Sequence, residues 1–238
     1  MTETYEYEGN ELSLFSQATN WKAYLTAQLR PFIRGQVLEV GAGIGATTSA
    51  LWTVAASQWI ALEPDARLAD QARAHFQARK LDGVMVREGT IASLEARESF
   101  DTILYVDVLE HIEADTAELQ AAARHLRPGG HLIVLSPAHQ WLFSPFDAAI
   151  GHVRRYDARR LKSVHLPGLA LLRLRYMDAV GMTASLANRL LLRRSMPSAA
   201  QIAIWDRLLV PASRVVDPCV AFRVGKSILA VWLRPIGA

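Results

Sequence analysis

The sequence predicts the α/β fold class, with a mostly parallel sheet that carries helices on both faces. One reason is that short apolar segments alternate with amphipathic helical segments over most of the chain, as in successive β–α units. A second reason is that the apolar residues Val37, Leu38 and Val40, with the single acid Glu39 among them, run directly into Gly41, Gly43 and Gly45. Glycines at such spacing are typical of a sharp turn from a buried strand into a helix, where a ligand can approach the backbone.

The elements are assigned in order from the same patterns. We predict strands near 36–40, 58–62, 84–87, 101–106, 131–136, 170–177 and 227–233. We predict helices near 45–54, 65–80, 112–126 and 158–164. The Pro-Gly-Gly run at 128–130 is expected to end a helix and begin the fifth strand.

Two regions lie outside this alternation and define the predicted domain organisation. Residues 1–34 contain short amphipathic segments, which predict an N-terminal helical cap before a domain at 35–238. Residues 179–226 separate the last two strands, and a structureless loop of that length is improbable. We therefore predict a helical insertion there, with helices over 182–194 and 199–216.

Composition sets the broad class of protein. A chain of 238 residues with 51% hydrophobic residues can bury one α/β core, and the single Cys219 excludes an internal disulfide. The acidic, polar start at 1–11 shows no secretory signal and no apolar run is long enough to span a membrane, so we expect a cytoplasmic enzyme. Residues 1–130 carry 11 Lys+Arg against 18 Asp+Glu, whereas 131–238 carry 15 against 5. The basic half could meet an acidic substrate, anionic lipid or nucleic acid, or be solvated surface.

Four ordered motifs together resemble the class I S-adenosylmethionine (SAM) methyltransferases. They are the E-x-G-x-G-x-G run from Glu39, the acid Glu63 at the end of the second strand, and the segments 100–112 and 126–134. The resemblance implies a Rossmann-like, seven-stranded sheet whose last strand is antiparallel and inserts beside the fifth. It also implies SAM as cofactor and direct in-line methyl transfer to a small-molecule substrate.

The resemblance further implies which residues hold the cofactor. Gly41, Gly43 and Gly45 would line the methionine and ribose, while Glu39 would reach the amino group and Glu63 the ribose hydroxyls. Asp107 would lie near the methionine end. Where the family commonly has an acid for the adenine amino group, this chain has Thr90 and Ile91, which leaves a hydroxyl and a backbone amide for the ring.

Histidines are the candidate general bases, because an ordinary histidine pKa suits proton removal at neutral pH. His111 follows the fourth strand, His139 follows the fifth, and His152 lies in the next loop; His131 is a weaker candidate. Alternatively, His111 is structural at a helix start and His139 only orders a loop.

The loop around 146–156 is the candidate substrate site. Its GHxRRY segment resembles a bacterial subgroup of small-molecule methyltransferases, and the candidate contacts are Trp141, Arg154, Arg155 and Tyr156. The arginines could clamp a carboxylate or phosphate, or an Asp–Arg network could pin the loop.

No metal ligand is assigned from the sequence. Asp107, Glu110 and His111 nevertheless have the i, i+3, i+4 spacing that converges on one side of a helical turn, and some SAM-dependent O-methyltransferases carry a similar E-x-x-E-H run. Metal-assisted O-methyl transfer is therefore retained as a minor variant.

The leading prediction is a SAM-dependent methyltransferase acting on a small anionic or amphipathic metabolite. The alternatives are an RNA-modifying methyltransferase, which the absence of an appended RNA-binding module disfavours, and a SAM-binding protein without methyl transfer. The apolar, arginine-rich segment 182–216 also suggests peripheral membrane contact. The sequence predicts neither the acceptor atom nor the oligomeric state.

Overall fold

A computed structural model describes residues 7, 9, 11–52, 56–192 and 196–237, and its centre is one seven-stranded sheet. The strands are β1 (Gly35–Val40), β2 (Ala56–Glu63), β3 (Val84–Glu88), β4 (Phe100–Val106), β5 (Leu126–Pro137), β6 (Ala170–Met177) and β7 (Ser227–Leu233). Their order is β3-β2-β1-β4-β5-β7-β6. Only β7 pairs antiparallel with its neighbours, β5 and β6. The predicted fold class, including the position of the antiparallel strand, is confirmed.

The sheet is buried on both faces because its strands are apolar at consecutive positions. Side chains of a strand alternate between faces, so Val37 joins one hydrophobic cluster and Leu38 the other. Strands that are buried on both sides are typical of a parallel sheet with helices packed on both faces. Because β1 and β4 are central and parallel, the segments that follow them open at the same edge of the sheet.

Ten α-helices connect or flank the strands in the described residues. They are α1 (Leu12–Phe15), α2 (Thr19–Leu29), α3 (Ala46–Leu51), α4 (Ala66–Ala78), α5 (Asp115–Arg124), α6 (Pro145–Ala149), α7 (Ala158–Ser163), α8 (Gly181–Ala187), α9 (Ala199–Ile204) and α10 (Val210–Cys219). Short 3-10 turns cover Arg30–Phe32, Ile91–Ser93, Leu109–His111 and Gln140–Leu142. No described helix is long and apolar enough to cross a membrane.

Two predicted boundaries differ from the structure. The Pro-Gly-Gly run lies inside β5 rather than before it, because the pairing with β4 shifts between Phe100 and Thr102 and the three residues form a bulge. The helix predicted over 112–126 begins at Asp115, because the 3-10 turn Leu109–His111 and the extended backbone of Ile112 come first. The ends of the helices predicted over 45–54 and 182–194 fall partly outside the described residues.

The N-terminal segment and the insertion pack against each other over the same end of the sheet. In the insertion, α8 continues into a π-helical turn at Asn188–Leu192, and α9 and α10 are joined by another at Trp205–Leu209. Buried Asp206 accepts hydrogen bonds from the backbone amides of Asn20 and Trp21 at the start of α2, at 3.2 and 2.8 Å. Buried Asp217 accepts one from the Tyr24 hydroxyl at 2.6 Å. The insertion is thus attached to α2 through two carboxylates.

Candidate functional site

A cavity of about 480 Å³ opens at the carboxyl ends of β1, β4 and β5. The glycine turn after β1 and the segment after β4 form its floor, and the loop around His152 forms one wall. The cap and the insertion form its roof. The roof side chains include Leu12, Phe15, Trp21, Lys22, Gln201, Ile202 and Trp205.

The glycine turn has a backbone that other residues avoid. Gly41, Gly43 and Gly45 have φ values of 70°, 55° and 78°, in the left-handed region. A Cβ on Gly41 would stand 2.6 Å from the Val108 side chain, and one on Gly45 would stand 2.4 Å from the Phe76 ring. Gly41 and Gly43 line the cavity, whereas Gly45 allows the turn to pack against α4.

Two buried carboxylates predicted to bind cofactor flank this turn. Glu39 lines the cavity floor and accepts hydrogen bonds from Thr48 Oγ1 at 2.6 Å and Trp59 Nε1 at 2.9 Å. Burial raises its pKa to about 7 despite these donors. Glu63 accepts from the backbone amides of Gly43 at 2.7 Å and Asp65 at 3.0 Å, and burial raises its pKa as well. Glu63 therefore fixes the turn in this structure, and its side chain lies behind the cavity lining.

Asp107 lies where β4 ends and projects into the cavity. Its φ of 55° is uncommon for a non-glycine residue, and its side chain is exposed to the cavity. Surrounding protein raises its pKa to about 6, although His152 and Lys226 act in the opposite direction. Thr90 and Ile91, the residues predicted near adenine, lie at the 3-10 turn after β3 and outside the cavity lining.

A cluster of two histidines and one glutamate lies beside Asp107. The rings of His111 and His152 are 4.6 Å apart, edge to face, and His152 Nε2 is 3.7 Å from Glu110 Oε1. Burial lowers the pKa of His111 to about 4 and raises that of Glu110 well above its ordinary value. Neither carboxylate oxygen of Glu110, nor the neighbouring Ser136 hydroxyl, has a hydrogen-bond partner of good geometry among the described residues.

His152 is held by a buried ion pair. Asp147 Oδ1 lies 3.0 Å from His152 Nδ1, and the same carboxylate accepts from Arg155 Nε at 2.7 Å and Nη2 at 2.9 Å. Burial alone would raise the pKa of Asp147, but these donors lower it well below its usual range. Of the two interpretations of Arg155 from sequence, this geometry favours the network that pins the loop.

The other predicted substrate residues lie outside the cavity lining. Tyr156 is fully buried, and its hydroxyl lies within hydrogen-bond distance of two acceptors, the Leu109 carbonyl oxygen at 3.0 Å and Asp115 Oδ2 at 2.9 Å. Arg154 pairs with Asp115 at 2.9 Å and donates to the Ile112 carbonyl, so it secures the segment after β4. Trp141 is 48% exposed on the surface.

His139 and His131 are also placed away from the cavity. The His139 ring stacks on Tyr176, with centroids 4.8 Å apart and planes 6° apart. His131 packs edge-on against Phe32. The structure thus brings His111, His152 and Asp107 together with the first two glycines and Glu39, and leaves these two histidines in packing positions.

Several lining residues were not predicted from the sequence. Lys226 precedes β7; its Nζ lies 3.4 Å from Asp178 Oδ2 and 3.8 Å from the centre of the Trp205 ring. Burial lowers the pKa of Lys226. Tyr7 donates its backbone amide to Asp65 and packs its ring against His111. For Lys226, the only sequence feature that indicated a site was its position after Gly225 at the start of a predicted strand. Trp205 had no such feature, because it resembles any other apolar residue of a predicted helix.

The residues present fit a cationic cofactor with an adenosyl group. The cavity lining contains five carboxyl groups, those of Glu11, Glu39, Asp107, Glu110 and Asp147. Gly41 and Gly43 have no Cβ between the backbone and a ligand. A sulfonium and an ammonium would both favour the ionised form of Asp107, whose pKa is raised in their absence.

The chain is similar to known proteins in sequence and in fold. The sequence profile described as "Methyltransferase domain" matches residues 38–134. A curated relative, ubiquinone biosynthesis O-methyltransferase of Xanthomonas axonopodis pv. citri (strain 306), is 33% identical over 115 residues, which cover 47% of this chain and 46% of the relative. The chain thus matches less than half the length of that relative.

Solved structures share the fold at low identity. The [4+2]-cyclase SpnF superposes with a TM-score of 0.65 and 18% identity over 100% of this chain and 88% of its own. A SAM-dependent methyltransferase from Clostridium acetobutylicum ATCC 824 superposes with a TM-score of 0.59 and 11% identity, over 95% and 96% of the two chains. Profile, strand order and glycine turn agree, and the chain therefore contains a methyltransferase domain of the class I SAM-dependent family.

Proposed function

We propose that this protein transfers the methyl group of SAM to an oxygen or nitrogen of a small amphipathic acceptor, with His152 as general base. The observation that carries the proposal is the cavity itself. Its lining contains the glycine turn and Asp107 together with the His111–His152 pair. A methyl donor and a proton acceptor would therefore meet in one enclosed space, as in-line transfer requires.

The cofactor supplies an activated methyl group on a sulfonium. The chain must bind it, orient the acceptor, exclude water and take up one proton. Gly41, Gly43 and Asp107 would hold the cofactor, and the roof formed by the cap and insertion would exclude water.

The geometry favours His152 over His111 as the base. Asp147 accepts the Nδ1 proton of His152, which leaves Nε2 unprotonated and stabilises the charge that the ring would gain on taking up a proton. His111 has its pKa lowered to about 4, so it is neutral at physiological pH and a weak base. His111 then serves to orient the acceptor hydroxyl or amine.

The acceptor chemistry follows from the rest of the lining. Phe15, Phe146 and Trp205 offer apolar surface, while Lys226 offers a cation held beside Trp205. This combination suits an aromatic or alkyl acceptor that carries an acidic or phenolic group. The curated relatives named for O-methyl transfer in ubiquinone biosynthesis support an oxygen as the first acceptor atom to test.

Calorimetric titration with SAM tests the cofactor site, and release of S-adenosylhomocysteine in the presence of alkylated dihydroxybenzoates tests transfer. We expect SAM binding in wild type and weaker binding in Asp107→Asn. We expect His152→Gln to lower kcat by about 100-fold or more with SAM binding retained, whereas the matched control His139→Gln stays near wild type. Absence of SAM binding contradicts the proposal. SAM binding without transfer to any acceptor favours the alternative of a SAM-binding protein, a class compatible with the fold shared by the [4+2]-cyclase.

A metal-assisted variant has one specific observation in its favour. Glu110, His111 and His152 each offer a ligand atom within 4.8 Å of the others. Glu110 is fully buried, and neither of its oxygens has a hydrogen bond of good geometry among the described residues. Two histidines and one carboxylate suit a divalent transition metal. The test is the thermal unfolding temperature with Mn²⁺, Zn²⁺ or Mg²⁺ against chelator. A rise in wild type that disappears in Glu110→Gln supports the variant, and no rise in wild type removes it.

A further inference from the structure

The outward face of the insertion carries an apolar row. Ile204, Leu208 and Val215 on the continuous helical segment α9–α10 are 55%, 64% and 70% exposed, and Leu190 after α8 is 59% exposed. Side chains four or seven residues apart lie on the same side of a helix, so Ile204, Leu208 and Val215 share one side. The helix α8, which leads into the turn that contains Leu190, packs against the turn that contains Leu208. A soluble surface rarely presents so many large aliphatic side chains on one element.

The charges around this row have one sign. Residues 179–226 contain seven basic and two acidic residues. Both acids, Asp206 and Asp217, are buried and bound to α2 and its neighbours. Arg207 and Arg214 are exposed beside the row. In the described part of the insertion, every exposed charge is therefore an arginine.

The row is continuous with the cavity. Ile204 belongs both to the exposed row and to the cavity lining, and Leu209 and Gln201 of the same helical segment also line the cavity. An apolar molecule at the outer face would thus contact, in Ile204, a side chain that also belongs to the cavity lining. The attachment of Asp206 and Asp217 to α2 keeps this face in a fixed position relative to the cavity.

We propose that the outward face of the insertion, formed by Leu190, Ile204, Leu208 and Val215 with Arg207 and Arg214, docks on an anionic lipid bilayer and lets an amphipathic acceptor enter the cavity from the lipid. Aliphatic side chains flanked by arginines match the apolar interior and the anionic headgroups of such a surface. A second copy of the chain is a poorer occupant, because a two-fold interface would place arginine against arginine with no exposed acid to pair. Nucleic acid would match the arginines but leave the aliphatic row against phosphate.

The test is co-sedimentation with vesicles of phosphatidylglycerol and phosphatidylcholine in equal parts, compared with phosphatidylcholine alone. We expect binding to the anionic vesicles that weakens between 0.05 and 0.5 M salt, roughly as Debye screening predicts. Arg207→Gln with Arg214→Gln should weaken binding by about 25-fold, since each basic side chain near an anionic surface contributes roughly a five-fold factor. Leu208→Glu with Val215→Glu should reduce binding to the level seen with phosphatidylcholine.

Matched controls place the same changes elsewhere on the surface. Leu172 is 52% exposed on β6 and the Arg97 side chain is 86% exposed, so Leu172→Glu and Arg97→Gln should leave vesicle binding unchanged. Circular dichroism and SAM titration on every variant verify that the fold and the cofactor site are intact. Neither Leu208 nor Val215 lines the cavity, so SAM affinity should not change.

Three results would overturn the proposal. They are no binding of wild type to anionic vesicles at low salt, equal binding of the Leu208→Glu/Val215→Glu variant, or a change in oligomeric state caused by that variant without any vesicle binding. The proposal does not depend on methyl transfer, because vesicle binding is measured without SAM or acceptor. A protein that binds vesicles but not SAM would fail only the proposed function.

Discussion

Replacing Asp147 by Asn tests the buried ion pair that orients the histidine wall of the cavity. Asp147 is fully buried and accepts from His152, from two nitrogens of Arg155, and from the amide and hydroxyl of Ser144 at 2.8 and 2.9 Å. Asn keeps the shape but removes the charge, so the Arg155 guanidinium stays buried without a counter-charge. Breaking one partner of a buried pair destabilises by about 3–5 kcal/mol. For a chain of this length that lowers the unfolding temperature by roughly 6–20 °C.

Urea unfolding followed by tryptophan fluorescence measures this loss. The pKa of Asp147 is below its ordinary value, so its contribution is present above pH 4 and is lost as the pH falls further through the folded-state pKa. The difference between wild type and variant should therefore be constant from pH 5 to 8 and shrink in acid. The control is Asp70→Asn, which breaks the exposed Asp70–Arg73 pair and should change stability by less than about 1 kcal/mol. A loss from Asp147→Asn no larger than that of the control would refute the assigned role.

Three further changes have defined outcomes. Glu110→Gln with chelator present should stabilise the protein by at least about 1 kcal/mol at pH 8 and by little at pH 4. Because the pKa of Glu110 is raised, the stability that its protonated form contributes is intact below about pH 4.5 and is lost as the pH rises. A pH-independent effect in urea unfolding would contradict this. Gly41→Ala should lower stability by about 1–3 kcal/mol and weaken SAM binding in calorimetry, because φ is 70° and the new Cβ would meet Val108; unchanged affinity would contradict the placement. Tyr24→Phe removes the hydrogen bond to Asp217 and should cost about 1.5–3 kcal/mol in the same unfolding assay, whereas a neutral result would show that the insertion is attached by other contacts.

The sheet and its glycine turn were predictable because each depends on local sequence. Apolar runs define strands, and the left-handed backbone at positions 41 and 43 favours glycine. The position of β7 came from the family resemblance rather than from the residues. The bulge at 128–130 was missed because the same Pro-Gly-Gly letters suit both a turn and a bulged strand, and only pairing with β4 decides between them.

Side-chain roles in the site were harder to predict, because they depend on contacts between distant segments. For Arg155 the sequence left an anion clamp and an Asp–Arg network equally open, and the contact with Asp147 favours the network. Tyr156 was expected to contact substrate, but it is buried against Asp115. Lys226 lies far from every motif in the sequence, yet it reaches the same cavity as Asp107. Spacing along the chain carries no information about such pairs.

The two carboxylates that tie the insertion to α2 also affect the order in which the chain can fold during synthesis. The amides of Asn20 and Trp21 are synthesised before the sheet strands, but the Asp206 side chain that receives them is made about 185 residues later. At roughly 5–20 residues per second, the start of α2 has to wait on the order of 10–40 s for this partner. Strands β1 to β5, which pair directly with one another, precede Asp206 in the chain, so this part of the sheet can assemble while this end of the cavity is still uncovered. The roof would therefore form late in newly made molecules, together with the insertion of β7 between β5 and β6, and until then the apolar lining is accessible to chaperones and ligands.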